Sequence, residues 1–317
     1  MSTPFKNILL IGATGSIGRY VLRALLAEPT FSITILQRSS STTPLTTGTG
    51  GGGADDEKVR VITIEDDYPT PALVQAFRGQ DAVISCVTTL SVATQHRFID
   101  AAIAAGVRRY VPSEFGLNNM RADAQALNRV FRDKGAVQQY LRDKAAAAEI
   151  EWMSVSCGMW LKWSAQNNFL GMDIKTKGAR KFVLWDGGRG RFSVTTEENT
   201  ALAIVRALTR LPEETKNRNV LVHEFVTTQR ELLEELKRQT GEEFVVEEVD
   251  SEKRIKELQA MEAAGDPTGT FGLIEAGFAT GRYGGDLEHE GEILTDKLGL
   301  QRHSLEEVVA DALASLQ

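Results

Sequence analysis

The sequence predicts an α/β protein: a doubly wound parallel sheet, followed by a smaller, α-rich C-terminal part. Three observations carry this. Apolar, β-branched runs alternate with helical spacings through the first half of the 317 residues, as expected for a parallel sheet covered on both faces. The first such run leads directly into a glycine-rich turn and then a helical pattern. After about residue 157 the alternation loosens into helical stretches separated by turns.

Taken in order, 7–11 reads as a buried strand and 17–27 as a helix. Strands follow at 32–37 and 59–64, a helix at 71–77, a strand at 81–87 and a helix at 95–105. Another strand unit begins at 109–112. A helix is expected at 137–148 and a strand at 151–156. These elements define a first domain over residues 1–157, with segments near 190–225 returning to it, and the glycine-rich turn after its first strand is the mark of a dinucleotide-binding domain. Residues 158–317 are mainly a substrate domain, with helices at 196–208 and 228–240, a short strand at 243–249, and a helical remainder broken by glycines. The stretch 185–192, WDGGRGRF, reads as a hairpin turn. Residues 39–56, rich in Ser, Thr and Gly, read as a surface loop, because they bury too little to offset ordering entropy.

Composition excludes several classes of function. A formal charge of −7 lacks the basic footprint of a nucleic-acid binder and the polybasic stretch that favours anionic lipid. No apolar run reaches the ~18 residues of a membrane span. The N-terminus enters a strand without a cleavable apolar leader, so the cytosol is the expected location. The two cysteines, Cys86 and Cys157, sit inside strand-like runs and read as buried, reduced thiols. His96, His223, His289 and His303 are far apart in sequence and read as structural or surface residues. With no ligand spacing among them, no metal is expected. Walker, nucleophile-elbow and zinc motifs are absent.

The chemistry-bearing segment is Gly12-Ala13-Thr14-Gly15-Ser16-Ile17-Gly18. In such a strand–turn–helix, Gly12 allows the tight turn, Gly15 lets the backbone approach a pyrophosphate, and Gly18 lets the helix pack closely. Thr14, Ser16 and Ile17 complete the loop, and the helix N-terminus offers amide donors and a favourable dipole. About 20 residues on, where NAD-binding versions carry an acidic residue, the sequence reads Gln37-Arg38-Ser39-Ser40. Arg38, with Ser39 beside it, can grip a 2′-phosphate through charge-assisted bonds. The expected cofactor is therefore NADPH/NADP.

Four stretches, GATGSIG at 12–18, VRRYVPSEFG at 107–116, FRDKGAVQQYL at 131–141 and EWMSVSCGMW at 151–160, resemble the isoflavone reductase-like and NmrA-like group of atypical short-chain dehydrogenases/reductases. The resemblance is good over residues 5–165 and extends beyond them in layout only. It implies that the Pro-Ser-Glu-Phe-Gly turn at 112–116 shapes the site, with no catalytic role for Glu114. It also implies a single catalytic lysine in FRDKGAVQQ, which is Lys134. That lysine would hold the nicotinamide ribose and move a proton on a phenol or carbonyl oxygen. The one Tyr-x-x-x-Lys match, Tyr140 to Lys144, stands too close to the following strand and reads as a decoy. Helical spacing puts Lys134, Val137, Gln138 and Leu141 on one face.

Phe115, Met159, Trp160 and Trp163, with Phe169 nearby, are candidates for the substrate pocket, and an aromatic lining suits a flat, aromatic partner molecule. The same residues also read as core between domains. The expectation is an NADPH-dependent reductase acting on a small aromatic or unsaturated substrate, as a monomer or homodimer. The rivals are a non-catalytic NmrA-like regulator that senses dinucleotide and binds a protein partner, and a redox-neutral lyase, isomerase or hydrolase on the same scaffold.

Overall fold

The computed structural model describes residues 3–43 and 59–316. Most of the segment expected as a surface loop, 39–56, lies outside the described residues.

The main sheet has seven strands: β1 (Asn7–Ile11), β2 (Ser32–Arg38), β3 (Val59–Ile64), β4 (Ala82–Ser85), β5 (Arg109–Val111), β6 (Glu151–Ser156) and β10 (Arg218–Leu221). Their order is β10-β6-β5-β4-β1-β2-β3. Every pairing from β3 across to β6 is parallel. The order reverses at β1, which lies between β2 and β4, and ligands bind beyond the carboxyl ends of such strands at that switch. Ile8 to Ile11 of β1 are buried in succession, because the strand has neighbours on both faces and alternation would serve no purpose.

Helices α1 (Gly18–Leu26), α2 (Thr70–Phe77) and α3 (Gln95–Ala105) connect the first strands. The chain forms two compact units, one of residues 1–114, 136–155 and 200–220, the other of 115–135, 156–199 and 221–317. In the first, Leu9, Phe77, Phe98, Tyr110, Val137 and Trp152 belong to one apolar core. Arg109 is buried beside it and reaches Glu151 at 2.7 Å, while Lys216 meets the same carboxylate at 2.7 Å. A buried charge is tolerated when paired and hydrogen-bonded in this way.

The second unit contains α4 (Ala122–Leu127), the start of α5 (Arg129–Ala146), α6 (Leu161–Gln166), α8 (Gln229–Thr240), α9 (Ser251–Ala263), α10 (Pro267–Ala279) and α11 (Leu305–Ala314), while α7 (Glu197–Thr209) only begins in it. Two small sheets accompany them: β9 (Arg191–Val194) antiparallel to β11 (Phe225–Thr228), and β7 (Met172–Asp173), β8 (Lys181–Trp185) and β12 (Val245–Val249) in the order β12-β8-β7. The unit is mostly helical. Thr228 and Ser304 begin α8 and α11 with reciprocal capping boxes to Glu231 and Glu307, which satisfy amides that the helix leaves unpaired. Its core includes Phe131, Leu170, Phe182, Phe192, Leu258 and Leu273.

Two expectations are corrected. Residues 185–192 are not a hairpin, since β8 pairs with β12 and β7 whereas β9 pairs with β11. Asp186, Gly187 and Gly188 all have positive φ, and that run turns the chain out of one sheet toward another. The helix expected from Val137 begins eight residues earlier, at Arg129. Gly135 lies inside it because the helix packs tightly there: a Cβ would stand 2.7 Å from the Asn119 carbonyl oxygen. Among the described residues no helix is long and apolar enough to cross a membrane.

Candidate functional site

A cavity of about 730 Å³ opens in the first unit where β1, β2 and β4 end, and Gly12, Thr14, Gly15, Arg38, Asp66 and His96 help to line it. Its floor is the glycine turn. Gly12 has φ +80°, and a Cβ there would stand 2.4 Å from the Cys86 carbonyl oxygen. At Gly18 a Cβ would come within 1.9 Å of the Gly12 carbonyl oxygen. Larger side chains are therefore excluded by contact at both positions, and at Gly12 by backbone conformation as well. The Gly15 amide donates to the Gly12 carbonyl at 3.0 Å and closes the turn. Ile17 precedes α1 with no side-chain cap, and the Arg19 and Tyr20 amides donate to the Gly15 and Ile17 carbonyls at 3.2 and 3.0 Å, so this helix start offers an anion chiefly its dipole. Ser16 is exposed and Thr14 half-buried beside them, whereas Ile17 is buried.

Arg38 ends β2 and is exposed on the cavity. Ser39 continues from it, its amide donating to the Ile64 carbonyl at 2.8 Å. Asp66 lies opposite. Its carboxylate accepts from the Ser39 hydroxyl and the Ser40 amide, each at 3.0 Å, and from the Ser40 hydroxyl. The Ser40 bonds, with help from Ser39 and the nearby Arg38 charge, hold the Asp66 carboxyl below the usual carboxylate range.

Sequence reasoning missed Asp66, Tyr68, Thr88, His96 and Arg97, all of which line this cavity. They come from the loops after β3 and β4 and from α3, and no motif connects them. A positive φ of 54° at Tyr68 was the only local oddity, and it is invisible before the fold exists. His96, expected to be structural or surface, is half-buried here and shares a bond of 3.2 Å with the Ala93 carbonyl.

The turn at 112–116 is held from within the first unit as far as Glu114. The Ser113 amide donates to Gln95 at 2.8 Å, and its hydroxyl donates to the Val87 carbonyl at 2.9 Å. Gln138 donates to the buried Glu114 carboxylate at 2.7 Å. Phe115 follows with φ +36°, a conformation that costs a non-glycine residue about 1–3 kcal/mol.

Lys134 is half-buried on α5, while Val137 and Leu141 of the same helix are fully buried in the core of the first unit. The Tyr140 and Lys144 pair is engaged elsewhere. Tyr140 donates to Asp100 at 2.5 Å, and Lys144 pairs with Glu149 at 3.1 Å. The Asp100 bond raises the Tyr140 pKa, the opposite of what an activated phenol needs.

In the second unit a cavity of about 980 Å³ is lined by Trp163, Phe169, Trp185, Phe271 and Glu275, among others. Trp163 stands edge-on to Phe169, with ring centroids 5.3 Å apart. The Trp185 ring nitrogen donates to Glu275 at 2.8 Å, and burial raises the Glu275 pKa. Of the four aromatic-pocket candidates, Trp163 lines this cavity. Met159 is packed in the core, and Trp160 and Phe115 are half-buried. Cys86 and Cys157 are free and buried, and burial pushes the Cys86 thiol pKa up, so it stays protonated. Among the described residues no cluster of His, Cys, Asp or Glu could hold a metal.

Comparison with known proteins adds relatives to this geometry. The model of the NmrA-like family matches residues 4–298. Oxidoreductase aprR of Aspergillus flavus is 31% identical over 97% of this chain and 98% of its own. Isoflavone reductase of Pisum sativum is 25% identical over 80% and 82% of the two chains. Among solved structures, the binary complex of leucoanthocyanidin reductase with NADPH from Vitis vinifera superimposes with a TM-score of 0.74 at 17% identity, covering 97% of this chain and 99% of the other.

Proposed function

The chain belongs to the NmrA-like family, and from that membership and the cavity at the sheet's switch we propose that it is an NADPH-dependent oxidoreductase reducing a small aromatic or unsaturated substrate. One observation carries the cofactor assignment: Gly12 and Gly18 are packed so closely that neither tolerates a Cβ, and this turn floors a cavity with Arg38 at its rim.

NADPH, when bound, supplies the hydride. The dipole at the start of α1, with Thr14, Gly15 and Ser16 of the turn, would hold the pyrophosphate. Arg38 and Ser39 would hold the 2′-phosphate through charge-assisted bonds, each worth about 1.5–3 kcal/mol and so about tenfold or more in affinity. Lys134 is the residue for the proton step: its Nζ would give a proton to, or take one from, a phenol or carbonyl oxygen of the substrate. The name of the isoflavone reductase relative supports an aromatic substrate, as does the presence of Trp163, Phe169, Trp185 and Phe271 around one cavity.

The test is titration with NADPH and NADH, followed by NADPH oxidation with aromatic enones, quinones and benzylic ethers. We expect turnover that disappears in Lys134→Ala while NADPH affinity is largely kept, and about tenfold weaker NADPH binding in Arg38→Ala. NADPH binding without turnover on any compound, and without an effect of Lys134→Ala, would move the assignment to a dinucleotide-sensing regulator.

A further inference from the structure

We propose that Asp66 is a specificity-determining residue that competes with the cofactor's 2′-phosphate for the donors at the end of β2. This rests on the NADPH reading of the cavity. The turn after β2 gathers the Ser39 hydroxyl, the Ser40 amide and the Ser40 hydroxyl around one point, beside the Arg38 guanidinium. Two hydroxyls, a backbone amide and a guanidinium form a donor set suited to a phosphate dianion. The group seated on these donors in the structure is the Asp66 carboxylate, bonded at 3.0 Å to the Ser39 hydroxyl and at 3.0 Å to the Ser40 amide, and also to the Ser40 hydroxyl.

Asp66 is brought there by the backbone. β3 lies parallel to β2 with Arg38 opposite Ile64, and the Ser39 amide donates to the Ile64 carbonyl at 2.8 Å. Asp66, two residues beyond, therefore faces the turn. It also lines the same cavity as Arg38 and Ser41. An arriving phosphate meets a carboxylate of like charge on its own donors, and binding requires that carboxylate to withdraw. A cofactor with a free 2′-hydroxyl requires no such exchange, and the same carboxylate can accept a hydrogen bond from it. Asp66 thus narrows the preference for NADPH that Arg38 creates, and the two residues act in opposite directions on one phosphate.

The experiment measures dissociation constants of NADPH, NADH and adenosine 2′,5′-bisphosphate by titration of the wild type, Asp66→Asn and Asp66→Ser. Asn keeps an oxygen to accept from the Ser40 amide but removes the charge, and Ser removes charge and bulk together. The reading is the ratio of NADH to NADPH dissociation constants. We expect it to rise about five- to tenfold in both variants, with tighter binding of the bisphosphate. An unchanged or lower ratio, or NADPH and NADH weakening in parallel, would overturn the proposal and leave Asp66 as a brace for the turn. A wild type that prefers NADH would instead overturn the NADPH reading, and the change in ratio between wild type and variants would still report on Asp66.

Discussion

Glu197 permits a demanding test of what burial does to a carboxyl in this fold. It opens α7, is 3% exposed, and burial pushes its pKa up to about 7 from an ordinary 4.5. Its own backbone amide opposes most, Glu198 next to it adds in the same direction as burial, and the Lys162 charge and the Trp163 amide oppose a little further. A carboxyl whose pKa is higher folded than unfolded contributes fully below about pH 4.5, and that contribution is lost as the pH rises through about 7. Each tenfold in proton affinity is about 1.4 kcal/mol, so the folded state should lose about 3 kcal/mol across that window. Glu197→Gln keeps the shape of the protonated acid and removes the titration. The assay is denaturant unfolding of wild type and variant at pH 5 and pH 8.5. The variant should be close to wild type at pH 5 and more stable by up to about 3 kcal/mol at pH 8.5. A gap that does not change with pH, or a variant destabilised equally at both, would refute a neutral Glu197 and place an ionised, well-bonded carboxylate there instead.

Further outcomes follow from single contacts. Gly18→Ala forces a Cβ to within 1.9 Å of the Gly12 carbonyl; a shift of the turn should cost about 1–3 kcal/mol in unfolding experiments and abolish measurable NADPH binding. Tyr140→Phe removes only the bond to Asp100 and should leave kcat unchanged, whereas a large loss would return that tyrosine to the chemistry. Glu224 is buried and accepts from the Thr196 amide at 2.8 Å, Asn199 at 2.6 Å and the His303 ring at 2.5 Å; Glu224→Ala should cost about 1–3 kcal/mol in thermal or denaturant unfolding, because it takes one shared acceptor from the buried Asn199 and the half-buried Thr196 and His303.

Elements with a local cause are legible in the chain before it folds. Ile8 to Ile11 are apolar in succession because a central parallel strand is covered on both faces. Gly12 and Gly18 stand where backbone must approach backbone, so the turn could be read before any fold was known. The start of α8 was legible for the same reason, since Thr228 and Glu231 form a cap within four residues. Gly135 shows the limit of local reading: a glycine that breaks a helical pattern on propensity is kept inside α5 because Asn119 and Gln125 press against it. Likewise, nothing local says that β8 and β9, separated by a glycine turn, pair in different sheets.

What surrounds the glycine turn is a product of the fold. Asp66, Tyr68, His96 and Arg97 reach the cavity because separate strands of the sheet end at the same edge. The opposition of Asp66 to the Ser39–Ser40 turn depends on the parallel register of β2 with β3, and the raised pKa of Glu197 depends on burial that no spacing encodes. Local sequence sets backbone geometry over a few residues. The placement of charges around a site is set by which distant segments the sheet brings to one edge.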